Sequence, residues 1–599
     1  MKTNRKPILF QSFSPMFLVF LYLINEPVKA QPYPQNDFIN PVEIPILLAG
    51  SFGELRGNHF HSGLDYRTQG VVGHRILSVA DGYVSRIKVS AKGYGNALYI
   101  NHPNGYTSVY AHLDKFNEEI EEFVRKVQYQ RKTFEIELFP NKRQFVFKQG
   151  DLIAFGGNSG SSSGPHLHFE IRDTKTEEPI NPFLFGFKVE DDIPPKIRSI
   201  RVYPMSDETV IGVHYNQAGR PPLYAKGKPV TLRCYGRYGK YQLSGVSKIA
   251  ASGPIAFSIQ AFDYHNKSAN TLGIYEISLK DTKSDHRFFY HRMERFSFAH
   301  TRYLNAHVDY AHKKRYGKWY QRSHVLPGNL LTFYEADKKP IGIIHPEKTD
   351  TFSLLYELTD YFENSSRLPI QVEHLENYPE RLETTTTKAS EAQAALAFDK
   401  KNYFEKGGIA LAFPAFAFYD TVFFNFEVDT AFPRGFSHLY QVHQDDEPVQ
   451  KYYDMSIKTH DLPEMLREKA LIVQKYNNYR YSWGGEYAEG FVNARVRNFG
   501  NFYVDVDTVP PSITPVNVYA NKRVKHQPNL KFVIKDNLSG IDTYDAYLNG
   551  KWILMKYDKK YNVIYHEWDK DWEEGTYEFL LKVKDKAGNE NKLELKLRI

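Results

Sequence analysis

Apolar and polar residues alternate along most of the 599-residue chain, in short runs broken by Gly, Pro, Asn and Asp. That period of two predicts β-strands and turns. "YTSVYAHLDKF" (106–116) reads as one such strand, and "HLHFEIRD" (166–173) as another that follows a Gly/Ser loop. Further on, "ALAFPAFAFYDTVFFNFEV" (410–428) reads as buried strands around a turn, and "WGGEYAEGFVNARVRNFGNFYVDV" (483–506) as a pair of strands. After Asn117 the pattern changes. Ile120, Phe123, Val124 and Val127 form one stripe at helical spacing, with Asn117 as cap, acids early and bases late, in the order the helix dipole favours. Behind this helix, "TFEIELF" and "RQFVF" predict a hairpin around Pro140-Asn141. The 43 Tyr and 42 Phe also favour strands.

Two stretches mark hinges. "DDIPPKI" (191–197) and "DTVPPSI" (507–513) share Asp, two residues, then Pro-Pro-x-Ile, and each precedes alternating apolar residues. Paired prolines lack donors and suit a linker entering an edge strand. "LSGV" (243–246) matches "LSGI" (538–541), and "FSIQAFDYHNKSAN" (257–270) parallels "FLLKVKDKAGNEN" (579–591). "DTFSLLYELTDYFENSS" (350–366) echoes the same Asp-to-Asn turn more faintly. These repeats predict immunoglobulin-like sandwiches over 190–285 and 507–599, a β-rich region over 286–400 that includes a polar linker at 382–395, and a further sandwich over 401–506. Residues 1–30 predict a secretory signal. Lys2, Arg5 and Lys6 precede the apolar core "PMFLVFLYLI" (15–24), and "VKA" (28–30) suits cleavage. That core is shorter than a spanning helix needs, so no transmembrane helix is expected in the mature chain. An exported protein in the periplasm or cell envelope, outer-membrane associated or secreted, is the expected setting. Cys234 is the single cysteine, which excludes an intramolecular disulfide framework. The net charge of +7 is small and dispersed, and excludes nucleic acid as a partner.

The candidate chemistry lies between 57 and 173. Side chains two apart on a strand share a face, so His166 and His168 point together. Upstream, "GNHFHSGLDYRT" (57–68) carries His61 and Asp65 four apart, which again keeps both on one face. His61, Asp65 and His168 offer three zinc ligands and leave a fourth position open, the pattern of catalytic sites. His112 and His166 remain as candidates for general base or oxyanion stabiliser. Glu170 shares the face of the two histidines, and either orients a ligand or pairs with a basic neighbour. "GGNSGSSSG" (156–164) reads as a groove rim or a plain turn, and His59 as a solvated side chain.

"HSGLD" (61–65), "VADGYVSRI" (79–87), "GYGNALYINHPNGYTSVYAHL" (93–113), "KQGDLIAFGGNSGSSSGPHLHFEIR" (148–172) and "INPFLF" (180–185) together resemble the lysostaphin/LytM-type zinc endopeptidases, which cut peptidoglycan cross-bridges. The resemblance implies an antiparallel sheet with a substrate groove over 31–189, one zinc per chain on His61, Asp65 and His168, and His112 with His166 as the catalytic pair. The whole chain is then expected to be mainly β: a peptidase domain followed by several sandwiches. It implies an exported metalloendopeptidase with peptidoglycan peptides as substrate. The alternatives are a D-Ala carboxypeptidase, or an envelope scaffold that binds peptidoglycan without cutting it. Non-enzymatic relatives of this family lose one or more of the five residues, and none is lost here. Residues 117–145 replace a connection that family members keep short, and this insertion is expected to be a lid, a docking surface for an envelope partner, or a packing element.

Overall fold

The computed structural model describes residues 33–380, 382, 392–568 and 572–599. The expected signal over 1–30 and the middle of the polar linker (383–391) lie outside them. Among the described residues the chain is mainly β, and no helix is long and apolar enough to cross a membrane.

The amino-terminal sheet has 11 strands. Its path runs Leu48–Gly50, Leu64–Arg67, His166–Asp173, Tyr106–Phe116, Asn96–Asn101, Gly82–Val89 and Val146–Phe147, antiparallel throughout. The central strands are buried on both faces, and each face has its own company. Leu98, Ile100, Tyr110, Leu167, Phe169 and Ile171 point into the main core. On the opposite face Ala97, Tyr99, Val109 and Ala111 form a small cluster of their own. Cross-strand register places His168 opposite Ala111 and Glu170 opposite Val109, so the candidate site sits on this second face.

The insertion forms the helix Glu118–Arg131. Asn117 caps it, its side-chain oxygen accepting from Ile120 N at 3.1 Å. Ile120 and Val124 are fully or nearly fully buried in the main core, and Phe123 and Val127 pack against it. The expected hairpin does not form. Ile136–Leu138 and Val146–Phe147 instead lie end to end along Gly82–Val89, because both find an open edge there. The outer side of the insertion meets the carboxy-terminal unit, where Tyr129 stands edge-on to Trp552 with centroids 5.4 Å apart. The same unit reaches the groove side, with Lys560 Nζ donating to the Asn158 carbonyl. The stripe is therefore rooted in the core, and part of its docking surface is met by the chain itself.

The structure draws the boundaries of the second unit differently from the repeat reading. Residues 196–374 contribute to one 13-stranded arrangement around one core that includes Ile200, Phe257, Leu279, Tyr356 and Leu368. Thr351–Thr359 pairs with Glu276–Asp281 and with Ser365–His374, so a boundary at 285 would cut through that core. The strands from Val210–Tyr215 to Val246–Ala251 intervene between Lys196–Pro204 and Ile255–Phe262, which pair with each other. This intervening block explains the misalignment. The true counterpart of the turn Asp585–Asn589 is Asp360–Asn364. Asn589 Nδ2 donates to Asp585 Oδ2 at 2.8 Å and to the Asp507 carbonyl at 2.9 Å. Asn364 Nδ2 donates to Asp360 Oδ2 at 2.8 Å and to the Asp191 carbonyl at 3.2 Å. The faint echo at 350–366 is thus the real repeat, whereas 257–270 sits where 529–541 sits in the last unit. "LSGV" belongs to the intervening strands and has no structural counterpart.

Two five-stranded sheets follow, sharing a core that includes Leu411, Tyr440, Met455, Ile472 and Phe502. The last unit packs two four-stranded sheets around Phe532, Ile564, Phe579 and Leu581. Phe532 and Phe579 stack at 5.0 Å across that core.

Ile120→Ala should destabilise the chain by about 2–5 kcal/mol, as truncation at a fully buried site does. Replacing 117–145 by a Gly/Ser turn should abolish cooperative unfolding of the amino-terminal domain in urea. An unchanged urea midpoint for either variant would show that the helix only decorates the fold.

Candidate metal centre

Asp65 and His168 face each other directly across neighbouring antiparallel strands, and His61 enters from the loop just before Leu64–Arg67. Asp65 Oδ1 lies 2.9 Å from His61 Nε2 and 2.9 Å from His168 Nδ1, and the two nitrogens are 3.0 Å apart. Ligand atoms around a tetrahedral zinc at about 2.0–2.1 Å sit roughly 3.3 Å from one another, close to this triangle. All three residues are buried, with 4–7% exposure.

The partners on the far side of each ligand fix which atom is free. His61 Nδ1 is 2.7 Å from the Ser51 carbonyl, which can only accept, so Nδ1 carries the hydrogen and Nε2 presents a lone pair. His168 Nε2 is 2.8 Å from Glu170 Oε1, so its lone pair is on Nδ1. Arg56 Nη2 donates to Asp65 Oδ2 at 3.2 Å and leaves Oδ1 available. Three donor atoms therefore converge on one point. The set of two imidazoles and a carboxylate fits zinc.

Glu170 both orients His168 and pairs with Arg172, whose Nε donates to Oε2 at 2.6 Å. Ser62 and the Tyr94 hydroxyl also donate to Oε1. Sequence reasoning found Glu170 but missed Arg56, Tyr94, Arg172 and the Ser51 carbonyl. Arg172 was within reach, since it continues the alternation His166, His168, Glu170. The Ser51 carbonyl leaves no trace in residue type.

His112 and His166 stand beside the triangle, with ring centroids 4.8 Å apart and His112 5.9 Å from His168. His112 adopts φ 60°, a left-handed conformation uncommon outside glycine, where the Tyr106–Phe116 strand shifts register against Asn96–Asn101. The turn swings its ring off the ladder, and Nδ1 donates to the Ser159 carbonyl at 2.9 Å. Ser159 belongs to the Gly/Ser loop, which thus anchors the His112 ring. His166 Nδ1 donates to the Gly164 carbonyl of the same loop at 2.8 Å, and its Nε2 lies 3.5 Å from Asp65 Oδ1. His59 is exposed and hydrogen-bonds locally to the Gly57 carbonyl.

Burial opposes charge at every one of these groups, but neighbours decide the outcome. Asp65 is held well below the usual carboxylate range because His61 and hydrogen bonds from His166, His168 and His61 outweigh its burial. Burial lowers His61. It also drives His112 down to about 3, helped by His168 and His166. His168 goes the other way. Against its burial, hydrogen bonds to Asp65 and Glu170 and their charges push it up to about 9.

A proton on His168 Nδ1 and a metal ion compete for the same lone pair. Below pH 9 the proton must leave for zinc to bind, whereas His61 is already neutral. Zinc affinity should therefore rise about tenfold per pH unit between pH 6 and 8, with about one proton released per zinc. A pH-independent affinity would contradict the His168 assignment. Asp65→Ala should lose most of its zinc by metal analysis, and normal occupancy would remove Asp65 from the ligand set.

Residues 59–129 match the model of peptidase family M23, and residues 393–507 match a Zu5-like domain that coincides with the paired five-stranded sheets. The M23 match includes His61, Asp65 and His112 and ends before His166 and His168. The chain is 33% identical over 122 residues to the DD-carboxypeptidase/endopeptidase Mpg of Neisseria meningitidis serogroup B, covering 20% of this chain and 22% of that one. It is 35% identical over 112 residues to the peptidoglycan DD-endopeptidase ShyB of Vibrio cholerae, covering 18% and 20%. To the murein hydrolase activator NlpD of Escherichia coli it is 34% identical over 122 residues, covering 20% and 25%. The chain thus spans about a fifth to a quarter of the length of these relatives. The amino-terminal domain of the chain belongs to peptidase family M23.

Proposed function

We propose that the chain is a zinc-dependent endopeptidase that hydrolyses peptide cross-links of peptidoglycan in the cell envelope. The observation that carries this reading is the convergence of His61 Nε2, Asp65 Oδ1 and His168 Nδ1 beside two further histidines that stand outside that triangle. One zinc ion held there would supply Lewis acidity for activating water and polarising a peptide carbonyl. His112 is neutral at working pH, and with Nδ1–H committed to Ser159 it offers Nε2 as a proton acceptor. His166 turns Nε2 towards the site and can hold a proton there for the developing oxyanion or the leaving amine. The Gly/Ser loop anchors both rings and rims the groove where a peptide would lie.

The names of the relatives include both endopeptidase and carboxypeptidase activities, and one is an activator of other hydrolases. The presence of all five residues favours hydrolysis over activation.

Digestion of purified sacculi with the full chain, with and without a chelator, tests the reading. Cross-linked dimers should fall to monomers, and chelation should stop this. Release of D-Ala alone would indicate a carboxypeptidase, and no product would indicate a binding or activating role. His112→Ala and His166→Ala should each keep zinc and lose turnover by a factor of about 10² to 10⁴. A variant that keeps full rate would remove that residue from the chemistry.

A further inference from the structure

A second set of candidate ligands lies where the peptidase domain meets the next unit. The carboxylates of Asp191, Asp263 and Asp360 offer oxygens that all lie within 4.8 Å of one another. Asp191 comes from the Pro-Pro hinge, Asp263 directly follows the strand Ile255–Phe262, and Asp360 opens the turn after Thr351–Thr359. Among the described residues, no Lys, Arg or His forms an ion pair with any of the three. Asp263 is only 5% exposed, and its Oδ1 has no hydrogen-bond partner. Asp191 and Asp263 also line a small cavity of about 20 Å³, room for roughly one water-sized particle.

The last unit carries the same arrangement with more backbone donors around it. Asp507, Asp536 and Asp585 occupy the three equivalent positions, and their oxygens too lie within 4.8 Å of one another. There, backbone donors reach Asp507 Oδ2 and Asp536 Oδ2, although Asp536 Oδ1 has no partner. Ser539 N donates to Asp507 Oδ2 at 2.8 Å, while Leu538 N and Gly540 N donate to Asp536 Oδ2 at 3.0 and 2.7 Å. Those donors come from the tight turn "DNLSG" after the strand Asn529–Lys535. In the second unit the corresponding segment is "DYHNKSANTLG" (263–273), which runs off to the peptidase domain instead of folding back over the carboxylates. His265 Nε2 meets the Leu48 backbone at 3.2 Å, Asn270 Nδ2 donates to the Ala49 carbonyl at 2.8 Å, and Gly273 N donates to Ser51 Oγ at 3.0 Å. The turn's donors have been given up for an interdomain clamp. Three carboxylates remain, one of them buried and short of a partner.

We propose that Asp191, Asp263 and Asp360 form a binding site for calcium, which replaces the missing donors and pins the 263–273 clamp. Only carboxylate oxygens are offered, which selects a hard cation over zinc. Calcium accepts flexible all-oxygen coordination by several carboxylates, whereas magnesium dehydrates reluctantly and keeps several waters, so a largely buried set of three carboxylates suits calcium better. Burial, with Asp360 and Asp191 beside it, pushes Asp263 well above the usual carboxylate range. Asp191 is pushed up to about 7, mainly by burial, with Asp360 and Asp192 adding to it. The clamp continues to the zinc site: Ser51, held through its hydroxyl by Gly273, gives its carbonyl to His61 Nδ1.

Calcium titration of the full-length chain tests the site independently of any peptidase activity. After treatment with a calcium chelator, calorimetry should show one calcium per chain, with a Kd of roughly 10⁻⁴–10⁻³ M, as in extracellular modules. The thermal midpoint should rise with calcium and much less with magnesium. Asp263→Asn should lose both responses yet melt no lower than the parent without calcium, because the substitution removes a buried unpaired charge. Asp536→Asn should keep both responses. If Asp263→Asn fails to fold, Asp191→Asn, at a half-buried position, should likewise lose the calcium response. The proposal fails if the parent shows no calcium response at about 5 mM, above that affinity range, which would mean that protons neutralise the cluster. It fails equally if the response survives in both Asp263→Asn and Asp191→Asn.

Discussion

Everything at the candidate centre depends on one cross-strand pair, Asp65 opposite His168. Two buried side chains that both need a partner sit on adjacent antiparallel strands, in register, with their donor atoms 2.9 Å apart. A slip of one residue would turn both to the opposite face, into the packed core of Leu167, Phe169 and Ile171. The apolar residues between the polar ones therefore fix the register, and the register fixes the centre. Each ligand is then held from behind by a group that settles its tautomer or its free oxygen: the Ser51 carbonyl, Glu170 and Arg56. Such support keeps donor atoms aimed at one point at little entropic cost when a ligand arrives.

The support extends beyond the M23 domain. Phe298, from the second unit, lies over the Arg172 guanidinium at 4.5 Å, and Arg172 holds Glu170. Thr301 Oγ1 accepts from Phe60 N, one residue before His61. On the other side, the last unit meets the insertion helix and the Gly/Ser loop through Trp552 and Lys560. The β-units behind the peptidase domain are thus more than spacers. They buttress the residues that position the candidate ligands and touch the loop that anchors His112 and His166.

The clustering of the five candidate residues was legible in the sequence because strand alternation maps spacing directly onto faces. His-x-His and His-x-x-x-Asp state geometry as well as composition. The helix over 118–131 was legible for the same kind of reason, through its cap and its apolar stripe. Its role was not, because a stripe of four apolar residues looks alike whether it covers a core or awaits a partner. Long-range pairing was also hidden. Nothing in "TFEIELF" or "RQFVF" says that each will choose Gly82–Val89 over the other. The second unit was misread because five strands between Pro204 and Ile255 separate partners that pair directly, and local similarity then favoured the nearer Asp-to-Asn stretch over the true one at 360–364. Backbone groups such as the Ser51 carbonyl carry no residue-type signal at all.

The central claim is that three particular atoms bind one zinc while two neighbouring histidines stay free of it. Anomalous diffraction at the zinc edge from crystals of the full-length chain tests this most directly. The account predicts a single peak bonded to His61 Nε2, Asp65 Oδ1 and His168 Nδ1 at about 2.0–2.2 Å, with His112 and His166 outside the coordination sphere. A zinc bonded to His112 or His166, or one seated away from the Asp65–His168 pair, would contradict it.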